Sequence, residues 1–194
     1  NVQGLNHPLM IVFDQIQATD GNYKKIYNLH VRNSITRNGN ELISVNSNII
    51  TGVSGVLYQR TLLPQNPQIT IKTGNNVFTV DGTYYAPPDS PNSDAGIITE
   101  LEQARAEISP PTGSLENQFL HTIYVTDNNG AEVNPASSLV NVVTPNVYGV
   151  NVKDWTVLFS EQELSLSNVV YTAPASGKQL ILGMQDSKTF DILL

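Results

Sequence analysis

Short stretches rich in β-branched and aromatic residues recur about every ten positions, separated by clusters of Gly, Pro, Asn and Asp, which is the rhythm of an all-β chain. In the run from Lys25 to Arg32, Tyr27, Leu29 and Val31 alternate with Asn28, His30 and Arg32, so one face is core and the other wet. Leu9 to Phe13 is continuously apolar and reads as a strand covered on both faces. Asn38-Gly39 tolerates positive φ at both residues and predicts a two-residue type I′ hairpin, with Ile35 opposite Leu42. A second hairpin is expected from Gln68 to Lys72 through Gly74-Asn75 into Val77 to Val80. Further strands are expected over 56–63, 119–126, 138–143, 147–152, 155–159, 168–172, 179–183 and 189–193.

One segment departs from the rhythm. Ile97, Ile98, Leu101, Ala104 and Ile108 fall at helical spacing, with Glu100, Glu102, Arg105 and Glu107 opposite. Ser93 or Asp94 can cap such a helix, and Ser109-Pro110-Pro111 stops it. The sequence therefore predicts a single domain over 1–194, with a loop-helix excursion over 86–118. Its fold class is all-β: a two-sheet β-sandwich, jelly-roll or immunoglobulin-like Greek key, with one short inserted α-helix.

Composition narrows the function classes. Only 14% of the 194 residues are charged, against roughly 25% in an ordinary soluble protein. Asn, Ser, Thr and Gln stand where Lys and Glu are usual. Lys and Glu are depleted where surfaces meet, so this pattern favours lateral packing. The net charge of −7 disfavours nucleic acid as a partner. No apolar run has the length of a spanning helix, so membrane insertion is not expected. There is no cysteine, which leaves the compartment open. The first residue is Asn1, which suggests a processed product, and no Asn-x-Ser/Thr sequon occurs, as expected of a bacterial or phage protein.

Candidate chemistry is sparse. His7 precedes a proline, His30 lies on a wet face, and His121 alternates with Phe119 and Ile123 and so points inward; none belongs to a nucleophile-activating or zinc-binding motif. Glu100, Glu102 and Glu107 form the local carboxylate cluster, on the wet side of the expected helix, with Glu161 and Glu163 in an expected loop. Asp127, Asn129 and Glu132 set oxygen donors around a glycine and are a weak calcium candidate, although a hairpin turn on Asn129-Gly130 leading to Val133 is the preferred reading. The stretch from Tyr124 to Val133 resembles the strand-turn-strand of bacterial immunoglobulin-like modules in adhesins and phage virion proteins. It covers ten residues of mostly turn chemistry and identifies no family.

Aromatic side chains are the remaining handle, since sugar rings stack on exposed aromatic faces. Tyr84 and Tyr85, beside the proline-rich loop, are ligand-binding candidates, as is Trp155, for which a core role weighs more. These readings favour a non-enzymatic structural or assembly protein of an external surface: a virion spike, decoration or tail component, or a bacterial surface or pilus-type protein. A homo-oligomer or assembly partners are expected, without a cofactor, at the virion exterior or the extracellular surface. A glycan- or receptor-binding module is the alternative, and a jelly-roll hydrolase or lyase a distant third.

Overall fold

A computed structural model of the chain describes residues 5–47, 51–85, 104–164 and 169–184. These residues are nearly all β, in several antiparallel sheets, with one short 3-10 turn. They divide into two compact units, residues 6–134 and residues 135–194, the latter together with residues 1–5.

In residues 6–134, a five-stranded antiparallel sheet runs in the order β1 (Leu9–Gln17), β10 (Glu116–Asp127), β5 (Ser54–Leu63), β4 (Glu41–Ser47), β3 (Thr36–Asn38). A three-stranded sheet, β2 (Tyr27–Val31), β9 (Ala104–Ser109), β6 (Gln68–Thr73), packs on it. Leu42, Ala106 and Ile108 are fully buried between the two, with Tyr27, Leu29, Ile35, Ile69 and Ile71 around them. Each fully buried Leu or Ile contributes about 1.5–3 kcal/mol relative to exposure, so these rows hold the sheets together. The Tyr27 ring, on β2, lies 4.0 Å from the His121 ring and 6.5 Å from that of Phe119, centroid to centroid, which places the odd-numbered side chains of β10 between the sheets. His121 is thus an inward core residue, as its alternation predicts.

Several expectations are corrected. Ala104 to Ile108 is a strand and not a helix, and it lies at the centre of its sheet; the rest of the expected helix, with Glu100 and Glu102, lies outside the described residues. β6 pairs with β9 and not with the residues that follow it. Gly74 does adopt positive φ (57°), but the chain then enters the 3-10 turn (Gly74–Phe78), and β7 (Thr79–Val80) pairs with β8 (Thr83–Tyr84). In the first hairpin Arg37, not Ile35, faces Leu42, and Gly39-Asn40 forms the turn with positive φ only at Gly39. That shift of two residues preserves the faces, so Ile35 still reaches the core. β1 is an edge strand with Met10 exposed, not a strand covered on both faces. Gly130 turns the chain at φ 74°, yet Val133 is exposed and joins no strand.

Residues 135–194 carry a four-stranded sheet in the order β11 (Ser137–Leu139), β12 (Val147–Val152), β13 (Trp155–Leu164), β14 (Lys178–Met184), antiparallel except for β13 and β14. Val140, Val147 and Leu158 form its core on one face, with Val142, Val169, Tyr171 and Ile181 against them. Of the strand expected over 168–172, only a bridge between Tyr171 and Val142 is present among the described residues, and the strand expected over 189–193 lies outside them.

Candidate functional site

Three groups of residues bear on function. The first is a hydrogen-bonded cluster on Glu132, which the turn at Gly130 folds back onto β10. Its Oε2 accepts from the Tyr124 hydroxyl and, at 3.0 Å, from Thr126 Oγ1, and lies 3.0 Å from His7 Nδ1. Its Oε1 accepts from the Asn6 backbone and side-chain N–H groups. Hydrogen bonds from Tyr124 and then His7 hold the carboxyl at a pKa of about 2. Thr126 Oγ1 also lies 3.1 Å from His7 Nδ1, which brings a hydroxyl and a base together. That hydroxyl is buried and donates to Glu132, so neither access nor a spare proton suits it to nucleophilic attack. No sequence signal announced this cluster, because its members are up to 126 residues apart.

Two of the three calcium candidates are engaged elsewhere. Asn129 Oδ1 accepts the Ala131 N–H at 2.9 Å, an Asx turn, while Glu132 serves the cluster above. Among the described residues, no group of three His, Cys, Asp or Glu side chains is placed to hold a metal ion. Glu107 pairs with Arg105 at 2.6 Å and Lys72 at 2.8 Å across the outer face of the three-stranded sheet. Glu161 lies on β13, not in a loop.

Tyr84 and Tyr85 are 51% and 61% exposed, held by the β7–β8 ladder and by the Tyr85 N–H bond to Phe78 O. Trp155 begins β13 in the other unit and is partly buried. The Lys178 ammonium sits 5.2 Å from its ring centroid and 3.4 Å from Asp154, beside an open depression bordered by Lys153 and Ser176.

The second group lies where the five-stranded and three-stranded sheets of residues 6–134 part. A cleft of about 440 Å³ opens between the ends of β2, β4, β5 and β10, the size of a small-molecule site. Val31, Val56, Leu57 and Val125 supply apolar walls, with Val53 at the edge. Asn33, Ser44 and Asn46 add neutral polar groups, and Asn33 is fixed by its bond to Val45 O at 2.7 Å. Arg32 brings a charge to the lining, and His30 borders it from the wet face of β2. The alternation of β2 placed His30 on a wet face correctly, but the cleft itself depends on sheet pairing that the sequence does not display.

The third group is the edge of the second unit. Among the described residues β14 pairs with β13 alone. Leu180 and Leu182, opposite Val157 and Phe159, project to one face and are each 41% exposed. Comparison with models of known protein families gives no match, and comparison with curated proteins finds none of significant similarity.

Proposed function

We propose that this chain is a non-enzymatic structural protein that assembles on an external surface, as a virion spike, decoration or tail component or as a bacterial surface or pilus-type protein. The edge of β14, unpaired among the described residues, supports this reading most directly. An edge strand presents unpaired backbone groups, and soluble proteins usually guard it with charge or proline. From Gln179 to Gly183 β14 has neither, and it adds two exposed leucines. The low charge of the whole chain favours burial of surface against a like surface at small desolvation cost. Homo-oligomers or partner proteins of similar character are the expected partners. Size-exclusion chromatography with light scattering tests this: self-association rising with concentration is expected, and lost in a Leu180→Lys, Leu182→Lys variant. A strict monomer at high concentration counts decisively against assembly.

Exposed Tyr84 and Tyr85 favour a second reading, a glycan- or receptor-binding module. A glycan array probed with the wild type and a Tyr84→Ala, Tyr85→Ala variant separates the two. Binding that survives the double substitution removes these tyrosines as the site.

A further inference from the structure

We propose that the cleft between the sheets of residues 6–134 binds an amphiphilic carboxylate, a medium-chain fatty acid, with its alkyl chain between the sheets and its carboxylate at Arg32. This site is separate from the β14 edge and holds or fails independently of the assembly reading.

The walls come from the inner faces of the sheets, so the interior is apolar: Val31 from the three-stranded sheet faces Leu57 and Val125 from the five-stranded one. An apolar cleft of about 440 Å³ accommodates an alkyl chain of several carbons, whereas a folded partner needs a broad surface. Charge selects the head group. Acidic side chains outnumber basic ones by 17 to 10 in this chain, yet Arg32 carries the charge of the cleft lining, and no Asp or Glu is among the described residues that line it. An anion is therefore attracted where the rest of the surface repels it. Arg32 has five N–H donors in a planar fork, enough to keep its existing contacts and still take a carboxylate. The Asn33 amide, bonded to Val45 O, ties the segment that follows β2 to β4 beside it. A ligand with a polar end and an apolar body satisfies both features at once.

Isothermal titration of the full chain with hexanoate, octanoate and decanoate, each below its micelle concentration, tests the alkyl pocket. Affinity should rise about fourfold per added methylene until the cleft is full. Methyl octanoate and octylammonium, which lack the anion, should bind at least about tenfold more weakly than octanoate. Arg32→Gln should weaken octanoate by a similar factor and leave methyl octanoate unchanged. Val125→Glu, at an exposed position of the wall, should abolish binding while circular dichroism stays that of the wild type. Methyl resonances of Val31, Leu57 and Val125 should shift on titration. Absence of octanoate binding, equal binding of octylammonium, or binding indifferent to both substitutions overturns the proposal. So does selective binding of an uncharged apolar peptide in place of the carboxylates.

Discussion

The Glu132 carboxylate and the His7 ring, 125 residues apart in sequence, meet at 3.0 Å between Oε2 and Nδ1. Together with Tyr124, Thr126 and Asn6 they fasten the chain ahead of β1 to the loop beyond β10. Both segments lie next to the boundaries of residues 6–134, so this carboxylate secures the two places where the chain leaves that unit. Folding lowers the Glu132 pKa from its usual 4.5 to about 2. A carboxyl shifted this way stabilises fully above its unfolded pKa and loses that contribution as pH falls toward the folded value. Urea midpoints should therefore decline between pH 4.5 and 2 more steeply in the wild type than in Glu132→Gln. Parallel profiles would show that the hydrogen bonds do not bias the ionisation.

His121 gives the opposite titration. Burial among Tyr27, Phe119 and Thr61 lowers its pKa from 6.5 to about 4. The unfolded chain takes up a proton near pH 6.5 while the folded chain resists until about 4. Stability is complete above pH 6.5 and falls between 6.5 and 4, by up to about 3 kcal/mol for a shift of this size. His121→Phe should remove that slope from equilibrium denaturation measured across the same range. An unchanged slope would assign the acid sensitivity to other groups.

Gly149 tests the packing of the second unit. It sits inside β12, and a Cβ there would stand 2.3 Å from Leu158 Cδ2, 2.9 Å from Val157 O and 3.0 Å from Val140 Cγ2. One of those neighbours is backbone, so the strand itself must give. Gly149→Ala should cost about 1–3 kcal/mol by overpacking, even though alanine suits strands no worse than glycine. Thermal melting is the measurement, and a midpoint at or above that of the wild type would mean that β12 and β13 yield without strain.

Sequence pattern recovered strands where one strong periodicity stood alone. The limits of β12 follow from Val147 to Val152, and the inward turn of His121 follows from its apolar neighbours at alternate positions. It failed at Ala104 to Ile108 for a physical reason. Ala104, Ala106 and Ile108 do alternate inward, but alanine is a strong helix former and Arg105 and Glu107 resemble a solvated helix face. What makes the segment a strand is β2 and β6 on either side, supplied from distant parts of the chain. Turn chemistry was similarly local: Gly74 and Gly130 both bend the chain, but neither residue encodes the partner of the next segment. The cleft and the Glu132 cluster depend on such pairings, which is why neither was legible, whereas the loop-side position of Tyr84 and Tyr85 was enough to expect at least one of the two rings to face outward, and both do.

Arg105 itself supplies the sharpest test of that corrected strand. It is buried on the outer face of β9, where it donates to Thr79 O at 2.8 Å and to Glu107 Oε1 at 2.6 Å; Lys72 lies on the same oxygen at 2.8 Å. Removing the carboxylate takes the ion-pair partner from a buried guanidinium that lies beside an ammonium. Loss of one partner from a buried pair typically costs about 3–5 kcal/mol. Glu107→Ala should approach that range, and Lys72→Met should restore part of the loss by removing the repelling charge. Replacing both members, Arg105→Leu with Glu107→Leu, should cost much less than Glu107→Ala, because no unpaired charge remains buried. A solvated helix face would instead show only a few tenths of a kcal/mol for each change, about the value of an exposed ion pair. Denaturant midpoints for these three variants thus distinguish a strand at the centre of a sheet from the helix that residue spacing alone suggested.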